Sequence, residues 1–311
     1  MKIIAYRGVD KTVPENTMAA FREAILEGAQ AIQLDVHFSR DKELVIFHDD
    51  SESRMIEGVG FVRHHTLEEL QSYSFRNFRD QTKLRIPSLK EYLAWAKDLP
   101  HTTIIHMKNN HFLYPGMEEA VLDLVESYDL LHRVILTSTR ISSMRLLRDL
   151  HQDVRLALMM DHGEEGFFDE IPSLKLEALI PNRMLVNEDL VKKARELGLE
   201  VWPFAVNRPS SLSRMEAYDI QGILTRDVQT MREALNIPNP YDKDVLDRAT
   251  RLPEGQTPEE GARGRASFQL GRKKKEKQEG GFIGILVYMA ISVGFSALGA
   301  FLVMKVLENI L

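Results

Sequence analysis

From its first residues to about residue 237 the chain alternates short apolar runs with amphipathic stretches, and this alternation constrains its fold most tightly. Strands are expected at 3–6, 31–36, 44–48, 103–107, 134–137, 155–159, 178–180, 200–206 and 222–225. Helices fall between them. One is expected over 17–27, with Met18, Ala20, Phe21, Ala24 and Ile25 on its apolar side; another over 187–197 is opened by Asn187 and closed by Gly198. Repeated βα units of this number predict a parallel sheet closed into a (β/α)8 barrel. Nine candidates are one too many, so 44–48 reads as an extra hairpin strand. An open doubly wound sheet is the alternative, but no glycine-rich phosphate fingerprint follows an early strand.

The C-terminal quarter has a different character. Pro238, Pro240, Pro253 and Pro258 open a charged stretch that reads as a linker over 238–281, with room for a short helix over 242–252. Residues 282–304 carry no charge at all. As a helix they span roughly 35 Å, enough to cross a hydrocarbon core of about 30 Å. This predicts a transmembrane helix with a short tail, 305–311. The cluster at 272–277 (Arg272, Lys273, Lys274, Lys275 and Lys277) precedes it and only Lys305 follows, which places the barrel on the cytoplasmic side of a cell membrane in a single-pass arrangement. The opening residues do not read as a signal peptide. The basic cluster lacks interleaved aromatics, so it is expected to meet anionic headgroups rather than nucleic acid. Net charge is −6, and the absence of cysteine excludes disulfides and thiolate metal sites. Ser292, Ser296 and Ala300 form a small-residue stripe suited to a homodimer or a membrane-protein partner.

Several short motifs fall at or near strand ends, where barrel enzymes carry their chemistry. They are Ala5-Tyr6-Arg7-Gly8, Pro14-Glu15-Asn16-Thr17, Gln33-Leu34-Asp35-Val36, Phe47-His48-Asp49 and Ile104-Ile105-His106-Met107-Lys108. Together these resemble the signature of the glycerophosphodiester phosphodiesterase family, a TIM barrel of the PLC-like phosphodiesterase type. Thr66-Leu67-Glu68-Glu69-Leu70, Ile86-Pro87-Ser88-Leu89, Val206-Asn207 and Gly222-Ile223-Leu224-Thr225 extend the resemblance over about 2–235. It implies a barrel over 1–237 with an insertion at about 49–87 beside the active site.

The resemblance also implies metal-dependent hydrolysis of a glycerophosphodiester to glycerol 3-phosphate and an alcohol, with two histidines as acid and base. A cation would offset charge on the phosphate and an acid would protonate the departing oxygen. His48 is then the proton-transfer residue. Arg7 and Lys108 grip phosphate oxygens, Glu15 and Asn16 order the first loop or contact substrate, and Trp202 offers a ligand platform. Asp35 is the metal carboxylate. The chain departs from the family pattern in three places: Tyr6 stands where a His is usual, while Gln33 and His106 stand where Glu is usual. Tyr6 has an ordinary pKa of about 10 and is a poor base at neutral pH. Asp35, His106 and, weakly, Gln33 remain as ligands for a divalent Mg, Ca or Zn ion. Arg226 also replaces a usual Asp. Two accounts follow: a membrane-tethered phosphodiesterase with a rebuilt site, or a catalytically silent relative that binds a phospholipid headgroup as a scaffold or regulator. The remaining histidines, including His37, His64, His65, His111 and His162, read as surface residues.

Overall fold

The structure is a computed structural model and describes residues 1–51, 54–58, 60–76, 84–162 and 167–251. Its strands are β1 (Lys2–Tyr6), β2 (Ala31–Phe38), β3 (Leu44–Ile46), β4 (Thr102–Met107), β5 (Val134–Ser138), β6 (Arg155–Met160), β7 (Ala178–Pro181), β8 (Glu200–Val201) and β9 (Gly222–Thr225). The order β8-β7-β6-β5-β4-β2-β1-β9 is parallel throughout, and β3 runs antiparallel to β2 as the expected extra hairpin strand. Backbone bonds from Leu224 to Pro203 (2.8 Å) and from Val206 to Leu224 (3.1 Å) join the two ends of that order. The result is the (β/α)8 barrel that the alternation predicts. Strand residues read as continuous apolar runs because helices cover the outside and side chains fill the inside.

Two layers of core follow from the strand period of two. Ile3, Ala5, Ile32, Leu34, Ile105 and Leu136 face the helices. Ile4, Ala31, Ile104, Ile135, Met159, Ile180 and Leu224 fill the interior. Positions that continue the interior rows past the apolar layers emerge at the C-terminal mouth, which selects Tyr6, Gln33, Asp35, His106, Lys108, Thr137 and Arg226.

Three sequence expectations are corrected. The strand expected over 200–206 stops at Val201, because Pro203 has no N–H to donate and Ala205 adopts a φ of +63°. His37 is fully buried, its Nδ1 3.1 Å from the Tyr114 hydroxyl and its Nε2 3.2 Å from the His48 carbonyl. The folded unit also continues past residue 237. Helix Lys243–Thr250, capped by Asp242, buries Val245 and Ala249 in the outer core, and the Trp95 indole donates to the Ala249 carbonyl at 3.0 Å. The Tyr241 hydroxyl donates to the Ala29 carbonyl at 2.6 Å.

Between β3 and helix Leu89–Ala96, the described part of the expected insertion has its own core. Ile56, Val62, Leu70, Phe75 and Ile86 pack beneath Val45 and Phe47. Thr66 and Glu69 form a reciprocal capping box that starts helix Leu67–Ser72. The apolar stretch at 282–304, its basic flank and the tail lie outside the described residues. Among the described residues, no helix is long and apolar enough to cross a membrane.

Candidate active site at the barrel mouth

The loop after β1 builds the first wall, and its backbone is held in unusual conformations. Arg7 has a φ of +65° and Asn16 one of +56°, both left-handed, and the Asn16 N–H donates to the Arg7 carbonyl at 2.8 Å. Gly8 is required between them: its φ is +82°, and a Cβ would lie 2.7 Å from Ala20. Left-handed backbone at a non-glycine residue costs on the order of 1–3 kcal/mol. Here that conformation turns the Arg7 side chain inward.

Asp35 is the centre of the arrangement, and its carboxylate is surrounded by protein donors. Oδ1 accepts from Gln33 Nε2 at 3.1 Å and faces His106 Nδ1 at 2.8 Å. Oδ2 accepts from Asn16 Nδ2 at 3.0 Å and lies 3.1 Å from Arg7 Nε. Burial alone would raise its pKa. The Arg7 guanidinium and the hydrogen bond from His106 outweigh burial and hold Asp35 well below the usual carboxylate range. His106 is pushed down by burial, which outweighs the Asp35 bond and keeps its ring neutral.

Arg7 donates hydrogen bonds through both terminal nitrogens, while Nε makes only a charge contact. Nε faces Asp35, Nη1 donates to Glu15 at 3.2 Å, and Nη2 donates to the Tyr6 hydroxyl at 2.7 Å. The Tyr6 ring stacks on Phe204 with centroids 5.5 Å apart, and the Arg7 guanidinium lies 4.5 Å from its centre. Burial pushes the Tyr6 hydroxyl up to about 12, so it holds its proton at neutral pH. It serves as a hydrogen-bond acceptor for Arg7, not as a base.

Glu15 is shared by three arginines. Besides Arg7, it pairs with Arg54 from the insertion and with Arg226 Nη2 at 2.9 Å. Burial raises the Glu15 pKa, but these guanidiniums together lower it below its ordinary value. Arg226 also reaches Asp10 at 3.1 Å, and Arg54 reaches Asp49. Motif reading gave Arg54, Asp10 and Thr137 no role. Arg226 was visible only as a departure from the family pattern.

His48 is partly exposed and joins this lattice only at its edge, through Asp49 and Arg54. Its Nδ1 lies 2.6 Å from Asp49 Oδ1, so Nδ1 carries the proton. Its Nε2 lies 3.4 Å from Lys108 Nζ. These two residues keep the expected places at the rim. Trp202 does not: its indole donates to Glu200 at 2.6 Å, lies under Lys2 and presses on Gly222, all at the N-terminal end of the barrel. It closes the floor, and Phe204 takes the aromatic position at the mouth.

The divalent cation implied by the resemblance finds no fitting donor set. The expected ligands Asp35, His106 and Gln33 do converge, but only Asp35 brings negative charge, and its Oδ1 already faces the N–H groups of Gln33 and His106. A guanidinium already stands 3.1 Å from its other oxygen. Among the described residues, no group of three or more histidines, aspartates or glutamates is placed to hold a metal.

Comparison with known proteins places this geometry in context. The profile of the glycerophosphoryl diester phosphodiesterase family matches residues 7–230. A glycerophosphodiester phosphodiesterase of Caldanaerobacter subterraneus subsp. tengcongensis is 31% identical over 234 residues, covering 74% of this chain and 95% of that one. The enzyme of the same description from Bacillus altitudinis is 32% identical over 232 residues, covering 72% and 94%. An Oleispira antarctica phosphodiesterase, solved with the product sn-glycerol-3-phosphate, superposes with a TM-score of 0.68 at 21% identity, covering 76% of this chain and 97% of that one. The family profile and these relatives cover most of the barrel, and the chain belongs to the glycerophosphoryl diester phosphodiesterase family.

Proposed function

We propose that the barrel mouth binds the phosphorylated headgroup of a glycerophosphodiester or phospholipid and does not carry out metal-dependent hydrolysis. The observation that carries this reading is the Asp35 carboxylate, whose oxygens are taken by Arg7, Asn16, Gln33 and His106. Lys108, beside the partly exposed His48, supplies the cation for the phosphate at the rim. The uncharged stretch at 282–304 and its basic flank support a membrane anchor with the barrel on the cytoplasmic face. A headgroup-binding mouth held close to a bilayer is then a sensor or scaffold for lipid-derived phosphates.

A second reading, hydrolysis, is favoured by one arrangement. Asp49 orients His48 as it would a general base, with Nε2 turned to Lys108. One experiment separates the two. The full chain is assayed for glycerol phosphate release with Mg²⁺, Ca²⁺, Mn²⁺ and Zn²⁺, beside His48→Ala and a Tyr6→His, Gln33→Glu, His106→Glu variant, while headgroup binding is measured calorimetrically in EDTA. Binding in EDTA without turnover is expected. Metal-dependent release abolished by His48→Ala establishes the second reading instead.

A further inference from the structure

We infer that the barrel docks mouth-first on an anionic bilayer through two apolar tips, Leu113 in the loop after β4 and Met184 in the loop after β7. The inference goes beyond the headgroup reading, because it concerns the rim and not the interior of the mouth. Among the described residues these are the two most exposed large apolar side chains, at 67% and 68%. The other exposed ones, Leu26, Leu146, Leu150 and Leu197, lie in or at the ends of helices and are markedly less exposed.

The fold puts both tips on one face. The eight barrel strands run parallel, so the loops after β4 and β7 both open at the C-terminal mouth. In the strand order β7 is three places round from β4, so the tips stand on different sides of the opening. Each tip is held out by anchored neighbours. Phe112 packs on Phe61 with ring centroids 5.2 Å apart, and Tyr114 is buried, its hydroxyl 3.1 Å from His37 Nδ1. Leu113, between them, is left outside. At the second tip the Asn182 side-chain oxygen accepts from the Met184 N–H at 3.0 Å, and the Asn182 carbonyl accepts from the Leu185 N–H at 2.8 Å. This tight turn packs Leu185 on the outer core and leaves Met184 in water.

Charge selects the partner. Residues 108–116 and 182–187 contain no aspartate or glutamate. Exposed Arg183 adjoins Met184, and the exposed Arg63 guanidinium lies 4.1 Å from the centre of the Phe112 ring, beside Leu113. Asp50, which faces the first of these loops, is met by His111 at 2.6 Å. The loop after β6 brings Asp161 instead, so the attraction is local to the two tips and is not a property of the whole rim. An apolar side chain beside a guanidinium suits the boundary between anionic headgroups and acyl chains. A protein partner needs one continuous apolar patch, and these residues have the open mouth between them. A lipid surface meets both at once and sets its headgroups opposite Lys108 and His48.

The test places a tryptophan at either tip of the full chain, Leu113→Trp or Met184→Trp, with Leu150→Trp as the control. Leu150 is exposed and ends helix Ile141–Leu150, which runs back from the mouth to the floor. The native Trp95 and Trp202 are buried and out of reach of lipid. Each variant is mixed with vesicles of phosphatidylcholine and phosphatidylglycerol whose brominated acyl chains quench only an indole that enters the bilayer. Both tip probes are expected to shift to the blue and lose most of their added emission, while the Leu150 probe keeps its own. Adding Arg183→Glu to Met184→Trp should restore most of the emission, as should vesicles of phosphatidylcholine alone. Tip probes as bright as in buffer, or a Leu150 probe quenched equally, overturn the docking. A blue shift that grows with protein concentration without vesicles also overturns it, and assigns the tips to a second copy of the chain. The calorimetry keeps the two readings apart. Headgroup binding with unquenched tips removes the docking alone, and quenched tips without headgroup binding remove the headgroup reading alone.

Discussion

Arg7 Nε lies 3.1 Å from Asp35 Oδ2, an ion pair whose side chains are 8% and 1% exposed. Removing one partner of such a pair leaves the other charge buried and uncompensated, at a cost of about 3–5 kcal/mol. Arg7 also holds Glu15, so Arg7→Met is expected to lose stability at or above that range in urea denaturation at neutral pH. Adding Asp35→Asn to Arg7→Met should recover part of the loss. A single-variant loss below 1 kcal/mol would mean that the pair is not closed in solution.

Tyr6 contributes through its hydroxyl to the same arginine. Tyr6→Phe keeps the stacking on Phe204 and removes the acceptor 2.7 Å from Arg7 Nη2. The expected loss is about 1–2 kcal/mol, read from the denaturation midpoint, since the arginine N–H is left buried. With the hydroxyl pushed up to about 12, no ionisation of Tyr6 should appear in an absorbance titration below pH 10.

Stability should fall with acid through His101. This ring is 3% exposed, its Nε2 lies 3.0 Å from the Tyr92 hydroxyl, and burial, with Arg133 adding to it, lowers its pKa to about 3. In the unfolded chain it takes up a proton near pH 6.5. The unfolded state therefore binds more protons between those values. The contribution is complete above about pH 6.5 and is lost as pH falls toward 3, at about 1.4 kcal/mol per unit. Urea midpoints for wild type and His101→Gln, compared at pH 7.5 and 5.5, should show the smaller drop in the variant. Identical drops would show that His101 titrates normally.

Helix Lys243–Thr250 should behave as part of the barrel. Truncation after residue 240 removes the Trp95–Ala249 bond and the burial of Val245 and Ala249. A melting temperature lowered by several degrees is expected, and Val245→Asp in the full chain should reproduce much of it. An unchanged melt would return this helix to the linker.

Much of the fold was legible because strand periodicity and capping are local. Asn187 caps its helix as read, with its side chain accepting from the Leu190 N–H at 2.8 Å, and the surplus strand pairs as a hairpin. Local signals failed where distant contacts decide. Pro238 and Pro240 look like the onset of a linker, yet the helix beyond them docks on Trp95. Trp202 sits in a segment that points to the mouth, but Glu200 and Lys2 draw its indole to the floor. Asp35, His48 and Lys108 were singled out by motif, and each lies at the C-terminal end of its strand. Arg54 lies in a polar stretch without periodicity, and its meeting with Glu15 depends on tertiary structure alone.

The pairing of β1 with β9 sets a timetable. Lys2 is in register with Gly222, so the first strand waits for 220 residues (222 − 2) before its second neighbour exists. At roughly 5–20 residues per second of synthesis, that is a delay on the order of tens of seconds. Throughout it the N-terminal strand has one open edge, and Glu15 lacks the arginine that arrives with the closing segment. A nascent chain halted before residue 222 should therefore leave β1 open to protease, with protection arriving only as the last strand leaves the ribosome.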